Sequence, residues 1–258
     1  MDLPHVLWVT FWAALVTDLA TGLGVLPFLW LRRPGALLSG GLTAMAAGMM
    51  IAASVLQLIP EAWALGAPWQ VFGGFLSGVL LVAWLMRWVG AHEDFDIAGL
   101  RKQSGVAGLM VVLVMTLHSL PEGVAIGVAY GEAAVSQSTQ FGWSIALVLA
   151  IHNIPEGVAI TAALRGQGLP LRSCFFWAIV SSLPQPLGAV PSAAAVWFFQ
   201  PLLPGGLAFA AGAMLYLVGA ELIPESRKKL SSKGLLGGVS LGAAVMALIA
   251  WGLQGVGG

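Results

Sequence analysis

Eight runs of mostly apolar residues divide this 258-residue chain, each about as long as the roughly 20-residue helix that crosses a hydrocarbon core. They lie at 7–31, 37–59, 69–90, 105–130, 141–164, 172–199, 206–224 and 234–256. Turn-formers separate them: Arg33-Pro34-Gly35, Gly66-Ala67-Pro68, Gly131, Gly166-Gln167-Gly168 and Pro204-Gly205-Gly206. Within lipid a segment must satisfy its own backbone groups, so runs of this length read as helices. The chain is 59% hydrophobic and 9% charged, against about a quarter charged in a soluble domain. A water-soluble fold of this size has nowhere to hide that much apolar surface. The expectation is a single polytopic membrane domain over 1–258, all-α, with eight transmembrane helices. No stretch between the runs is long enough for a second domain. Met1-Asp2-Leu3-Pro4-His5 lacks a positive region and a small-residue cleavage site, so the first run reads as a retained helix. Net charge is zero, and no basic face argues for nucleic acid. The single cysteine, Cys174, excludes an intramolecular disulfide.

Lys and Arg accumulate in cytoplasmic connections, which tests the helix count. Arg32 and Arg33 lie in the first connection; Arg87, Arg101 and Lys102 around the third; Arg165 and Arg172 in the fifth; Arg227, Lys228, Lys229 and Lys233 in the seventh. These are all 11 basic residues, and each falls at an odd-numbered connection. A wrong count would scramble the alternation. Eight helices with both termini outside satisfy it.

Two internal echoes follow. Ala46-Ala47-Gly48, Met50 and Leu58-Ile59-Pro60-Glu61 recur 164 residues on as Ala210-Ala211-Gly212, Met214 and Leu222-Ile223-Pro224-Glu225. Pro121-Glu122-Gly123-Val124-Ala125-Ile126 recurs 34 residues on as Pro155-Glu156-Gly157-Val158-Ala159-Ile160. The first pair sits on helices two and seven and the second on helices four and five, which run in opposite directions. Small-residue helices resemble one another by chance, but matched Pro-Glu pairs at constant offset argue against that. Inverted repeats mark transporters that hold substrate near the midplane at the repeat interface.

The fourth helix carries His118-Ser119-Leu120-Pro121-Glu122-Gly123 and the fifth His152-Asn153-Ile154-Pro155-Glu156-Gly157. Positions i and i+4 share a helix face, so His118 lies over Glu122 and His152 over Glu156. Two such faces turned together offer two imidazoles and two carboxylates, a donor set suited to Zn²⁺. Pro121 and Pro155 leave the carbonyls of Leu117 and Ile151 without helical partners, and Gly123 and Gly157 permit close helix approach. A carboxylate at the bilayer centre costs about 2.5–3.5 kcal/mol on insertion scales. Two of them, each with a histidine one turn away, are hard to explain structurally.

Other polar positions carry two readings each. Asp18, deep in the first helix, makes an interhelical hydrogen bond or serves as a proton or metal relay. Met50 has a soft thioether that can reach an ion, although methionine more often fills core gaps. Gln185, between Pro184 and Pro186, presents its carbonyl to the site or bonds a neighbouring helix. Glu221 and Glu225 stage metal exit, or Glu225 is merely solvated beside Arg227. The turn His92-Glu93-Asp94-Phe95-Asp96 reads as solvated rather than metal-binding.

With these motifs the chain resembles the ZIP (Zrt/Irt-like) family of metal transporters, particularly its prokaryotic GufA- and ZupT-like branches, over essentially its whole length. The resemblance implies a 3+2+3 helix arrangement and a mobile bundle of helices one, four, five and six sliding against two, three, seven and eight. It also implies a multi-pass protein of the cell (inner or plasma) membrane, often dimeric. Its substrate would be Zn²⁺ and, in various members, Fe²⁺, Mn²⁺, Cd²⁺ or Co²⁺, moved toward the cytoplasm. Carried over by position, His118, Glu122 and Glu156 match the primary metal site, and Met50 a helix-two methionine that joins it. His152 stands where some relatives have Gln and enriches that site. The positions of a second, adjacent metal are Ser119, Asn153 and Gln185 here, a weakened set, which implies one strong site and a poor or absent second.

The mechanism expected is alternating access without ATP, since no Walker A loop is present. One rival is an intramembrane metal-dependent hydrolase. It lacks the His-Glu-x-x-His arrangement and has only Ser119 beside His118 as a nucleophile-base pair. The other rival is a membrane protein that binds metal without transporting it.

Overall fold

The computed structural model describes residues 1–30, 35–91 and 99–256. Among these residues there is no strand, and eight helices are long and apolar enough to cross a membrane. They are α1 (Leu3–Leu29), α2 (Ala36–Leu65), α3 (Pro68–Ala91), α4 (Leu100–Gly131), α5 (Gln140–Gly166), α6 (Leu171–Phe198), α7 (Leu202–Arg227) and α8 (Ser232–Val256). The chain is therefore an all-helical, multi-pass membrane protein. The acidic turn His92–Asp96, and Arg32 and Arg33, lie outside the described residues.

Four helices differ from the sequence expectation, each because of proline. The first begins at Leu3, not residue 7, with Pro4 in its opening turn, where the missing N–H has no partner to lose. The second runs past residue 59 to Leu65 through a π turn at Ser54–Leu58. A wider turn just ahead of Pro60 relieves the ring's clash with the preceding carbonyl. The seventh repeats this, with a π turn at Val218–Leu222 ahead of Pro224. The two π turns stand 164 residues apart, the offset of the sequence echo. The sixth is not one continuous helix. It breaks at Leu183 between Leu171–Ser182 and Pro184–Phe198, because Pro184 and Pro186 cannot donate backward. By contrast, Pro121 and Pro155 lie inside unbroken helices.

Four of the extensively packed helix pairs are α3 with α7, α2 with α8, α4 with the second half of α6, and α1 with α5. Glycine allows each to close to backbone contact. A methyl group at Gly78 would run into the Phe209 carbonyl, at Gly242 into that of Met45, at Gly127 into that of Ala189, and at Gly157 into that of Thr21. Large apolar side chains such as Trp69, Trp84, Leu187 and Trp251 face outward, as lipid-facing surfaces require. The buried core joins α1 to α7, and the chemistry-bearing residues of α4 and α5 are buried alongside it.

Candidate metal centre

α4 and α5 each present a histidine and a glutamate one helical turn apart, and packing brings the two faces together. One ligand atom each from Glu122, His152 and Glu156 fall within 4.8 Å of one another, all three residues buried. His152 Nδ1 lies 3.3 Å from Glu122 Oε1 and 4.0 Å from Glu156 Oε2. Both oxygens of Glu156 and Nε2 of His152 have no hydrogen-bond partner. Buried polar atoms normally find one, and a trio spaced in this way could hold a metal ion.

His118 stands beside this trio rather than within it. Its Nδ1 is 2.9 Å from the Val114 carbonyl. A carbonyl only accepts, so Nδ1 carries the proton and Nε2 keeps its lone pair. That Nε2 is buried without a partner. His118, His152 and Glu156 line one narrow cleft, together with Met50, Thr43, Ala46, Met115, Ala159 and Leu222. Met50 therefore lies beside His118, His152 and Glu156 along this cleft.

The three remaining ligand candidates each bond protein, but Asn153 Oδ1 is buried without a partner. The Ser119 hydroxyl donates to the Met115 carbonyl of its own helix, 3.0 Å away. Asn153 Nδ2 donates to the Thr17 carbonyl at 2.8 Å and to Gln185 Oε1 at 3.1 Å. Gln185 Nε2 donates to Glu122 Oε2. Of the two readings open for Gln185, the structure has it bonding neighbouring helices. Thr17, next to Asp18, completes this set and is missing from the sequence reading. Its signal was the spacing of Thr10, Thr17 and Thr21 along one face of α1, all fully buried.

The outlying acidic candidates divide. Asp18 is fully buried and neither of its oxygens has a partner, but it belongs neither to the trio nor to the cleft lining. Glu221 is partly buried within the second π turn. Glu225 is not merely solvated beside Arg227: it pairs with Lys228 at 3.0 Å and Lys229 at 2.8 Å. The bond to Glu225 holds the Lys228 ammonium above its ordinary range.

Comparison with known proteins places the chain in a family. A family model described as ZIP zinc transporter matches residues 92–250. The zinc transporter GufA of Myxococcus xanthus is 33% identical over 228 residues, covering 84% of this chain and 87% of GufA. The zinc transporter ZupT of Corynebacterium aurimucosum is 29% identical over 275 residues, covering 96% of this chain and 98% of ZupT. Human zinc transporter ZIP11 is 41% identical over 134 residues, 49% of this chain and 37% of ZIP11. The chain covers only 36% of an Arabidopsis thaliana relative that is 33% identical over 228 residues. The family model spans more than half the chain and GufA matches over most of both lengths, so this chain belongs to the ZIP zinc transporter family, in the bacterial branch of GufA and ZupT.

Proposed function

We propose that this protein carries Zn²⁺ through the bilayer toward the cytoplasm by alternating access without ATP, binding the ion between α4 and α5 near the midplane. The observation that carries this reading is the buried trio Glu122, His152 and Glu156, whose ligand atoms lie within 4.8 Å of one another. His118 Nε2 and the Met50 thioether complete the ligand set from the walls of the cleft. Imidazole with carboxylate also accepts Fe²⁺, Mn²⁺, Cd²⁺ and Co²⁺, so these are alternative substrates. Members of the family are transporters and not enzymes, which removes the hydrolase reading.

Direction rests on what flanks the trio. By the basic-connection rule, Thr43 on α2, Met115 on α4, Ala159 on α5 and Leu222 on α7 all lie on the cytoplasmic side of the trio, and all four line the cleft. On the other side Leu58, Ile126 and Leu149 are buried in the continuous apolar core. The arrangement supports release inward, with the cleft on the cytoplasmic side of the trio and continuous apolar packing on the other. An inverted repeat is supported by the helix pairings. Exchanging α1 with α6, α2 with α7, α3 with α8 and α4 with α5 turns α2–α8 into α7–α3 and α1–α5 into α6–α4, pairs that all pack closely. In this reading the chain is one polytopic domain of the cell membrane with both termini outside, working singly or as a homodimer.

Metal ligands must give up their protons to bind. The cycle therefore takes Zn²⁺ at the trio from outside, moves α1, α4, α5 and α6 against the remaining helices, and releases it to the cytoplasmic cleft. The test is uptake of radiolabelled Zn²⁺ into proteoliposomes. Glu122→Ala and Glu156→Ala are expected to fall to the level of empty vesicles. Near-wild-type uptake in both rejects the assignment. Retained Zn²⁺ binding with no flux in the unaltered protein favours the binding-only reading.

A further inference from the structure

The hydrogen bonds around Gln185 reach all four helices of the inner group. Its Nε2 donates to Glu122 Oε2 on α4. Its Oε1 lies 3.1 Å from Asn153 Nδ2 on α5 and 2.9 Å from the Thr17 hydroxyl on α1, which shares its one proton with the Ala14 carbonyl at 2.7 Å. Asn153 Nδ2 also bonds the Thr17 carbonyl at 2.8 Å. Gln185, Glu122 and Asn153 have no exposed surface and Thr17 almost none. The orientation of the amide follows from chemistry. An ionised carboxylate only accepts, so Gln185 must turn nitrogen toward Glu122 and oxygen toward Asn153 and Thr17. Turning it over would set two acceptors face to face at Glu122 and strip both donors from Oε1.

Resting on the proposed metal reading, we infer that Gln185 is a positioning residue that fixes Glu122 and holds the site to a single ion. Glu122 has two oxygens. Oε1 faces His152 at 3.3 Å and belongs to the trio. Oε2 accepts from Gln185 Nε2 instead, so a second cation on that oxygen would have to displace the amide. Gln185 supplies a neutral N–H donor there, with its only carbonyl oxygen already taken. The amide thus does for Oε2 what a second cation would do, neutralising its lone pairs without adding charge. A rigid Glu122 keeps Oε1 aimed at the ion, and residues that orient a metal ligand typically change affinity by about 10–100-fold when removed.

The experiment is Zn²⁺ binding to the full chain in detergent, by equilibrium dialysis with metal analysis. Binding that survives in the Glu122→Ala/Glu156→Ala double variant is subtracted as background. Gln185→Glu replaces the donor with an acceptor, and the expected stoichiometry rises from one ion per chain to two. Gln185→Ala is expected to keep one ion but bind it at least tenfold more weakly. Thr17→Val leaves every candidate ligand in place and removes one donor to Gln185 Oε1. It is expected to weaken binding in the same direction by a smaller factor, and it covers the case in which a Gln185 variant fails to elute as a folded species. One ion per chain in Gln185→Glu, with unchanged affinity in Gln185→Ala or Thr17→Val, overturns the inference while leaving the metal reading intact. Double-variant binding equal to that of the unaltered protein overturns both.

Discussion

In the most apolar windows of α3 and α8 only 17% of the residues are buried within the protein, whereas in α4 72% and in α5 67% are. The outer pair carries no ionisable residue between Pro68 and Met86 or between Gly234 and Val256. Lipid can solvate an apolar side chain but not an unpaired carboxylate, so outer helices are free to be featureless. The inner pair holds His118, Glu122, His152 and Glu156, all nearly or fully buried. Yet the two regions pack by the same device, a glycine against a carbonyl: Gly242 against Met45 at the rim, Gly157 against Thr21 at the centre. Close packing is thus a general need of the fold, while buried ionisable groups gather where the proposed metal site lies.

The comparison breaks most directly if the inner charges prove dispensable. Glu122→Ala and Glu156→Ala should abolish Zn²⁺ uptake in proteoliposomes, while a polar substitution on the lipid face, Leu80→Gln, should leave it largely intact. Equal losses in the two regions would show that any polar change disturbs the fold. The next largest effect separates packing from chemistry. Gly157→Ala and Gly242→Ala should each lower stability by about 1–3 kcal/mol through overpacking, read as a drop in thermal midpoint in detergent. Only Gly157→Ala, which abuts Glu156, should also weaken Zn²⁺ binding. A smaller and reversible effect is expected from acid. Lowering the outside pH below neutrality should raise the Zn²⁺ concentration needed for half-maximal uptake, because protons compete for the same lone pairs. Uptake that rises on acidification would instead make proton entry the driving step.

Much of this was legible in the amino-acid order. A run of about 20 apolar residues admits few folded states in lipid, so the eight spans needed no tertiary information. The repeat of histidine and glutamate at i and i+4 states a shared face directly. What escaped was whatever depends on a partner helix. The π turns before Pro60 and Pro224 are paths the backbone takes around a ring, and composition carries no mark of them. The break at Leu183 was foreshadowed by Pro184 and Pro186, but Pro121 and Pro155 sit in unbroken helices. Proline alone therefore does not decide where a helix ends. Thr17 and Gln185 are 168 residues apart, and nothing local shows that they meet. His118 shares a face with Glu122, yet stands outside the tightest trio because the Val114 carbonyl holds its ring.

Ser119 gives the finest test of the contrast between a polar residue that serves the ion and one that serves its own helix. It is fully buried and next to His118, which makes it a natural candidate ligand. Its hydroxyl instead reaches back 3.0 Å to the Met115 carbonyl, the carbonyl that already accepts the helical N–H of Ser119. This second bond adds little, and serine back-bonding of this kind slightly destabilises helices. Alanine has the higher helix propensity, by a few tenths of a kcal/mol. Ser119→Ala should therefore keep Zn²⁺ uptake within about twofold of the unaltered protein, the range expected of changes that touch no key interaction, with an equal or slightly higher thermal midpoint. A tenfold loss of uptake with the midpoint unchanged would mean that the hydroxyl leaves Met115 during transport to meet the ion. Ser119 would then belong with Glu122 and not with the packing residues.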